Sequence, residues 1–444
     1  MEEIILQFLF LYWVLNHRIA QPITAPTRNW RFSASYDSFV VNQTLVLRMN
    51  ICGKKSPTSC SCQPLGTIIK DNISMNLYSR RTFLKNGIKA TFFIAFLSPF
   101  RQLFASSKNE TKFPSWTELV EYARWCPNVH NLQPHKIKII SETEADLYYD
   151  PSRLLPVGDP NAIFVTVAMG IFVEHLSISA ASYDMKVEIA EVYNPITTSA
   201  TVETLFAKLK LIPTLEEEEL DKELITKRRT SRLHYDGKPL KQGTLDKIKK
   251  QAEKFEHDFF SSSDKELVDF VEELNQQTLF EDLESKPARD ELDHLFRYTE
   301  EEAETKKDGL WAKCMGFSGS LMKSVFIHHE RWEKGLRKKI LKNYYKSSFK
   351  GTTTICWFGG KFNNTNDWLN AGRMLARNWL LITKENAYIH PFGSLITNSG
   401  AYKKINEKFT QPKEDKKIWM IFRAGYSKEP TRSFRLSTEE IIIK

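Results

Sequence analysis

Cysteine is sparse in this chain of 444 residues, which contains six. Cys60 and Cys62 are one residue apart, but no second cysteine pair and no histidine partners follow at the spacing of a zinc site. Cys126, Cys314 and Cys356 stand singly along the chain. The pattern implies no disulfide framework, and we expect no metal site.

An excess of charge of one sign is also missing from most of the chain. The formal net charge is +9, yet residues 1–107 carry twelve Lys and Arg against four Asp and Glu, which leaves +1 for the rest. A nucleic-acid-binding protein concentrates basic residues where it meets the polyanion. Since the body has no such general excess, we expect no nucleic-acid partner. Hydrophobic residues make up 41% of the chain, enough for a sizeable core.

Uninterrupted apolar runs long enough to span a membrane are lacking as well. Residues 161–183 have the length, but Glu174 and His175 near their middle would be costly in lipid. Asp159 and Pro160 form a cap and first-turn pair before this segment, and apolar residues occupy nearly every face of it. We therefore predict a central core helix over 161–183 rather than a transmembrane span.

Residues 75–107 have the features of an export signal. Ser-Arg-Arg-Thr-Phe-Leu-Lys at 79–85 resembles the twin-arginine motif, and the apolar stretch 90–100, Arg101 and small residues follow it. Because a signal belongs at the amino terminus, we expect translation from Met75, with residues 1–74 an over-extended gene start or disordered. The alternative is a chance Arg-Arg pair in a soluble amino-terminal domain. The resemblance implies a bacterial, periplasmic protein that meets the twin-arginine export machinery and has no stable membrane insertion after export.

The stretch from Ala123 to His135 is the most distinctive part of the chain. Ser115 and Glu118 form a capping box, and the apolar spacing predicts a helix over 116–123. Pro127 ends that helix, two Asn, one Gln and two His follow, and a β-branched run begins at residue 136. The sequence thus predicts an amide-rich turn between a helix and a strand. An ordinary turn of turn-forming residues is the alternative.

This turn resembles the Ala-Pro-Ser-x-x-Asn-x-Gln-Pro-Trp signature of the nitroreductase-like flavoproteins. The version with His before Asn resembles their Acg-type branch, known from mycobacteria. Asn128 stands where the family usually has Ser, and His135 where it usually has Trp. The matching residues are Pro127, His130, Asn131, Gln133 and Pro134.

Three further stretches resemble pieces of the same family, in the family's order. Lys-Arg-Arg-Thr-Ser-Arg-Leu-His-Tyr at 227–235 is similar to the element that holds the phosphate of flavin mononucleotide (FMN), which needs forked guanidinium donors. A solvated basic face is the alternative for that stretch. Residues 367–373 and 421–426 resemble the family's Trp-Leu-x-Ala-Gly and Leu-x-Arg-x-Gly-Tyr pieces. Together the four cover residues 115–435.

The resemblance implies a layered α+β fold, an antiparallel-dominated sheet flanked by helices. It also implies a single chain that imitates a two-subunit dimer, with halves at 108–214 and 215–444, as a monomeric pseudo-dimer or a homodimer. Residue patterns predict strands at 136–140, 145–149, 186–193, 352–358 and 417–423, a short helix at 202–211, a helix opened by the acidic run at 215–219, a mainly helical stretch at 240–346 and a helix at 366–383.

The resemblance implies an FMN-dependent oxidoreductase in which flavin, not a protein acid or base, does the chemistry. A small-molecule donor would supply hydride, nicotinamide in the family, and a nitroaromatic, quinone-like or other unsaturated compound would accept electrons. The alternatives are a flavin-sequestering protein with a closed pocket and an interaction protein that has lost its flavin. The implied cofactor-binding residues are Pro127, Asn128, His130, Asn131 and Gln133 near the ring, Arg228, Arg229, Thr230 and Arg232 at the phosphate, and Arg423.

Overall fold

The computed structural model describes residues 35–41, 44–50, 113–413 and 415–444. The chain divides into two units, residues 1–100 and 101–444. In the first unit, strands β1 (Ser35–Val41) and β2 (Thr44–Asn50) form an antiparallel hairpin. The predicted export signal at 75–107 lies outside the described residues, so export remains a prediction from the sequence.

The second unit begins with a helix, two strands, a long helix and two more strands. These elements are α1 (Trp116–Ala123), β3 (His135–Ile139), β4 (Glu144–Tyr149), α2 (Ile163–Ala180), β5 (Met185–Val192) and β6 (Thr204–Pro213), with 3-10 turns at Val129–Asn131, Pro151–Arg153 and Ala181–Tyr183.

The rest of the unit repeats this pattern with a helical insertion after its first strand. The elements up to the end of the insertion are α3 (Glu223–Lys227), α4 (Gln242–Glu253), β7 (Asp258–Ser262), α5 (Lys265–Glu284), α6 (Lys286–Leu295), β8 (Phe296–Arg297), α7 (Glu300–Lys306), β9 (Leu310–Trp311), α8 (Ala312–Met315), α9 (Gly319–Ile327), α10 (His329–Trp332) and α11 (Gly335–Ser347). The elements after it are β10 (Thr354–Gly360), α12 (Thr365–Lys384), β11 (Tyr388–Pro391), α13 (Ser394–Thr397), α14 (Ser399–Lys408), β12 (Lys417–Gly425), α15 (Thr438–Ile441) and β13 (Ile442–Ile443).

The two main sheets have the same strand order. One sheet runs β3-β4-β6-β5 and the other β7-β10-β12-β11, with every one of these neighbours antiparallel. In the first sheet the long helix α2 connects β4 to β5, and in the second the long helix α12 connects β10 to β11. The strand register shifts at the corresponding pairs, β4 with β6 and β10 with β12. The predicted α+β class, with antiparallel sheets flanked by helices in a single-chain pseudo-dimer, is therefore confirmed.

The carboxy-terminal end returns from the second repeat to the first. Strand β13 pairs in parallel with β3, and α15 packs on α1. The segment that links β12 to α15, residues 426–437, must therefore cross between the two sheets. This segment, the carboxy-terminal arm, reaches the predicted site.

The long helices α2 and α12 cross at two glycines. Each glycine lies seven residues after the start of its helix. A Cβ atom on Gly170 would be 2.2 Å from the carbonyl oxygen of Leu369, and one on Gly372 would be 2.0 Å from that of Val167. The close approach explains the small residue at the end of the Trp-Leu-x-Ala-Gly stretch.

Helix α2 is the predicted core helix, and it is buried nearly all round. Together with the turn after it, it forms the one helix of the described residues, 163–183, with the length and hydropathy of a membrane span; most of it is buried in the protein. Glu174 is buried and pairs with Arg373 at 2.8 Å and Arg377 at 2.6 Å on α12. A pair of cations thus compensates the one charge that the core holds here.

Two element predictions are wrong. The stretch 202–211, predicted as a short helix, is strand β6 from residue 204 onward, where Ala207, Leu209 and Leu211 are buried and alternate with Lys208 and Lys210. That period of two is typical of a strand, and β6 lies between β4 and β5.

The segment from Leu215 through the acidic run at 216–219 does not open a helix. Glu218 pairs with Arg377 at 2.8 Å, and its carboxylate accepts from the amide of Leu220. The tertiary ion pair outcompetes helix propensity, and only Glu223–Lys227 is helical. Strand β7, within the stretch predicted to be helical, was missed.

Candidate functional site

The amide-rich turn lies where predicted, between α1 and β3. Ser115 caps α1 by accepting from the amide of Glu118. His130, Asn131 and Gln133 have φ of 50°, 59° and 56°. Three left-handed residues that are not glycine within four positions store backbone strain, which is concentrated at functional sites in proteins.

Asn128 holds this turn together from within. Its side chain donates to the carbonyl of Cys126 at 3.2 Å and accepts from the amide of Gln133 at 2.9 Å. Asn128 therefore has a structural use in the turn. Pro127 precedes it and ends the helical region.

Asn131 and Gln133 use their amides mostly on the main chain. Asn131 donates to the carbonyl of Phe434 at 3.1 Å. Gln133 donates to the carbonyl of Lys307 at 2.8 Å and accepts from the amide of Leu436 at 2.8 Å. The turn thus fixes the carboxy-terminal arm and the loop after α7. The side-chain oxygen of Asn131 is buried and has no partner in the described protein.

Arg228 and Arg229 follow directly on α3. Arg228 is 6% exposed, donates to the carbonyl of Trp125 at 3.2 Å and lies 4.6 Å from the ring centre of Trp379. Arg229 donates to the carbonyl of Thr226 at 2.7 Å. In both side chains the Nε atom is buried without a partner.

Two arginines of the carboxy-terminal arm complete this group, and the sequence analysis missed both. Arg432 lies 3.3 Å from the ring centre of Trp125, and Arg435 lies 5.9 Å from it. Their Nε atoms are also buried without partners. The spacing Arg432-Ser-Phe-Arg435 after the last long strand was the available signal. We call Arg228, Arg229, Arg432 and Arg435 the arginine cluster.

The arginine cluster is electrostatically unbalanced. Burial, and then Arg435, lower the pKa of Arg228 to about 9, while burial and neighbouring arginines lower those of Arg432 and Arg435 to about 10. Among the described residues the cluster has one carboxylate within ion-pair distance, the exposed Glu429, 3.7 Å from Arg229. Such an arrangement favours an anion with several acceptor oxygens.

Thr230 and Arg232 lie beyond the arginine cluster on the same segment. Thr230 forms a parallel bridge with Ile389 of β11. Burial, and then the charge of Arg232, lower the pKa of the His130 imidazole to about 4. No carboxylate of the described residues lies within ion-pair distance of Arg232. Arg232 is thus a further cation of this segment without a carboxylate partner among the described residues.

Arg423 is not brought to the arginine cluster. It is fully buried between the rings of Tyr235 and Phe349, at 4.4 and 4.8 Å. Its guanidinium donates to the carbonyls of Ser348 at 3.0 Å and Leu233 at 3.1 Å. These contacts fasten the segment after Arg229 to the second sheet.

Two buried histidines lie beneath the site. His135 stacks on Phe172 with ring centres 4.2 Å apart, so it keeps a flat ring where the family has Trp. Burial lowers the pKa values of His135 and His175 to about 3, and Arg228 contributes for His175. Both nitrogens of both rings lack partners in the described protein.

Comparisons with known proteins find likeness only among solved structures. No family profile matches the chain. No curated protein matches it. The FMN-dependent nitroreductase NfnB from Mycobacterium smegmatis, in complex with NADPH, is similar at 15% identity and a TM-score of 0.28, over 47% of this chain and 87% of that one.

Two further structures are of the same kind. A nitroreductase with bound FMN from Bacteroides fragilis is similar at 13% identity and a TM-score of 0.29, over 48% of this chain and 91% of that one. A nitroreductase-like family protein from Bacillus cereus has 13% identity and a TM-score of 0.28, over 49% and 91%. At identities and TM-scores this low, the likeness carries no inference about function.

Proposed function

We propose that this protein is an FMN-binding oxidoreductase of the nitroreductase type. The observation that carries the proposal is the convergence of four arginines, two after α3 and two on the carboxy-terminal arm, with a single exposed carboxylate nearby. The motifs that resemble the family fall in the same region: the turn at 127–134 and the stretch at 227–235 bound it.

The donor set fits the phosphate end of FMN. A phosphate offers several charged acceptor oxygens, and the unpartnered Nε atoms of Arg228, Arg432 and Arg435 are donors that lack an acceptor. Their mutual repulsion and desolvation, visible in the lowered pKa values, would be relieved by a dianion. At the other side of the turn, the side-chain oxygen of Asn131 is a buried acceptor free to meet a ring N–H.

Bound FMN would supply two-electron redox chemistry that no protein side chain supplies. The residues of this chain hold and shield it. The arginine cluster anchors the anionic end, Trp125 and Trp379 support the guanidinium planes, and the strained turn fixes the amide edge. No protein group is required to act as an acid or base.

The electron donor and acceptor are proposed as small molecules. A nitroaromatic, quinone-like or other unsaturated acceptor fits the reaction class. If the twin-arginine signal directs export to the periplasm, free NAD(P)H would be absent there. The physiological donor would then be a different reductant.

A second candidate function is flavin sequestration without turnover. The observation that favours it is the carboxy-terminal arm, which Asn131 and Gln133 bind through Phe434 and Leu436. An arm held across the site would restrict the approach of a second substrate.

The first experiment is the visible spectrum of the purified protein, followed by identification of the heat-released chromophore. We expect flavin bands and FMN. Arg228→Gln and Arg435→Gln should each weaken FMN binding by about 1.5–3 kcal/mol, the value of a charge-assisted hydrogen bond. Arg331→Gln, an exposed arginine of α10, is the matched control and should bind normally. Equal affinity in all three variants would refute the proposed phosphate site.

Turnover and sequestration are then separated with the loaded protein. Bleaching by dithionite and reoxidation by a nitro compound identify the oxidoreductase. Bound FMN that is reduced but not reoxidised by the nitro compound supports sequestration, in which case Asn131→Ala should loosen the arm and restore reoxidation.

A further inference from the structure

The helical insertion exposes large apolar side chains to an unusual degree. Four of the eleven exposed large hydrophobic residues of the described chain lie within residues 319–347. On α11, Leu336 is 72% exposed, Ile340 53% and Tyr344 44%. These three are four residues apart and share one face of the helix, while Leu341, about 100° round the helix from Ile340, is buried. An exposed row of this kind marks an interaction surface.

The same segment is strongly basic. Residues 319–347 contain eight Lys and Arg and two Glu, although the chain after residue 107 has a net charge of only +1. Helix α11 itself has five basic residues and no acidic one. Among the described residues, neither Arg337 nor Lys339 has a carboxylate within ion-pair distance, whereas Lys338 pairs with Glu284 at 2.8 Å. The cations beside the apolar row are therefore available to an external anion.

We propose that this face of α11, formed by Leu336, Arg337, Lys339, Ile340 and Tyr344, docks on the surface of an anionic lipid bilayer. A helix that lies in the interface buries apolar side chains below the headgroups and pairs its Lys and Arg with lipid phosphates. Tyr344 suits the headgroup level, since its ring is apolar and its hydroxyl polar. An anionic bilayer satisfies both the apolar row and the unpaired cations.

The docking face is attached to the segment that carries Arg232. The Tyr344 hydroxyl donates to the carbonyl of Gly316 at 2.8 Å, and its ring packs on Phe317 with centres 5.2 Å apart. A Cβ atom added at Gly316 would lie 4.0 Å from the main-chain oxygen of Arg232, so the two segments are neighbours. Docking does not depend on FMN, but it would hold the proposed site close to the bilayer surface.

The test is flotation of the full chain with phosphatidylcholine vesicles that contain 0 or about 30% phosphatidylglycerol. The expected result is stronger binding to the anionic vesicles. Replacing both Arg337 and Lys339 by Gln should lower that binding by roughly 30-fold, since each cation near the surface contributes about fivefold. The matched control replaces Lys403 and Lys404, exposed on α14, by Gln and should bind as the unaltered chain does.

A second pair tests the apolar row. Leu336→Ser with Ile340→Ser should also weaken binding to anionic vesicles, whereas Val202→Ser with Leu215→Ser, which lie elsewhere and are 70% and 105% exposed, should not. Hydrogen exchange locates the binding element. Amides of 335–347 should gain protection with vesicles, whereas those of 399–408 on α14 should not. Vesicle binding that leaves 335–347 unprotected, equal binding to neutral vesicles, or a dimer abolished by Leu336→Ser with Ile340→Ser would each overturn the proposal.

Discussion

Arg432 and Arg435 enter the proposed site from a segment more than 190 residues after Arg228. Arg423 and the arginine cluster share a buried Nε without a partner, but they differ in their terminal nitrogens. Arg423 donates from both of them to distant carbonyls and so stabilises the fold, whereas Arg432 makes no hydrogen bond among the described residues. Unsatisfied buried donors cost stability, and a bound anion would recover that cost.

This imbalance predicts the behaviour of Arg432→Gln. Without phosphate, removing one of several repelling charges should raise the free energy of unfolding by about 1 kcal/mol, allowing for the partial exposure of Arg432. Thermal unfolding in chloride and in phosphate at equal ionic strength measures this. The unaltered protein should gain more from phosphate than the variant does. Destabilisation of the variant in chloride would contradict the predicted repulsion.

The buried histidines predict a pH dependence. The folded-state pKa values of His135 and His175 are about 3, below the unfolded value near 6.5, so the unfolded chain binds more protons between those values. Stability is therefore complete above pH 6.5 and falls as pH drops toward 3. His135→Phe should reduce the loss between pH 7 and pH 5 by about 2 kcal/mol, measured by urea unfolding at both pH values. Phe172 is the stacking partner of His135, and Phe172→Leu should lower the free energy of unfolding equally at pH 7 and pH 5.

At the scale of elements, the crossing of α2 and α12 sets the distance between the two repeats. The backbones meet at Gly170 and Gly372, and the ion pairs of Glu174 with Arg373 and Arg377 lie one turn further on. Steric contact fixes how near the helices lie, and the charge pairs favour one register between them.

Gly372→Ala tests the steric part. Its Cβ would need a shift of α2, because the nearest atom is a backbone oxygen at 2.0 Å. We expect a loss of about 1–3 kcal/mol in the free energy of unfolding, the cost of overpacking. Gly243→Ala in α4, where nothing lies within 4 Å of the added atom, should be neutral or stabilising by up to about 1 kcal/mol. Similar effects at both sites would argue against the close crossing.

At the scale of the molecule, the two repeats share one core. Leu147 and Phe172 of the first repeat belong to the same buried cluster as Met374 and Trp419 of the second. Strand β13 and α15 add carboxy-terminal residues to the first sheet. Neither repeat buries its apolar surface alone.

The shared core predicts that the first repeat is not an independent folding unit. Residues 108–214 expressed alone should lack a cooperative thermal transition, because α2 would expose the surface that α12 covers. Co-expression with residues 215–444 should restore a folded complex with a single transition, followed by circular dichroism. Cooperative unfolding of the isolated fragment would refute this.

The local sequence was sufficient wherever a single pattern acted alone. The capping box, Pro127 and the β-branched run predicted α1, the turn and β3, and the motif Lys-Arg-Arg predicted two of the four clustered arginines. The sequence prediction was wrong where a distant contact acts on a local pattern. The acidic run at 216–219 predicted a helix, but Glu218 pairs with Arg377, 159 residues away.

By itself, then, the sequence determined the amide-rich turn, the basic stretch and most of the helices and strands, because capping, periodicity and turn chemistry act within a few residues. The layered fold was implied by the family resemblance. Only the tertiary structure decided which polar groups remain free. It places Arg432 and Arg435 beside Arg228, and Arg423 against main-chain carbonyls. The side-chain amides of Asn131 and Gln133 bind the carboxy-terminal arm. Partners so distant in sequence are chosen by the packing of the two repeats, which no local pattern encodes.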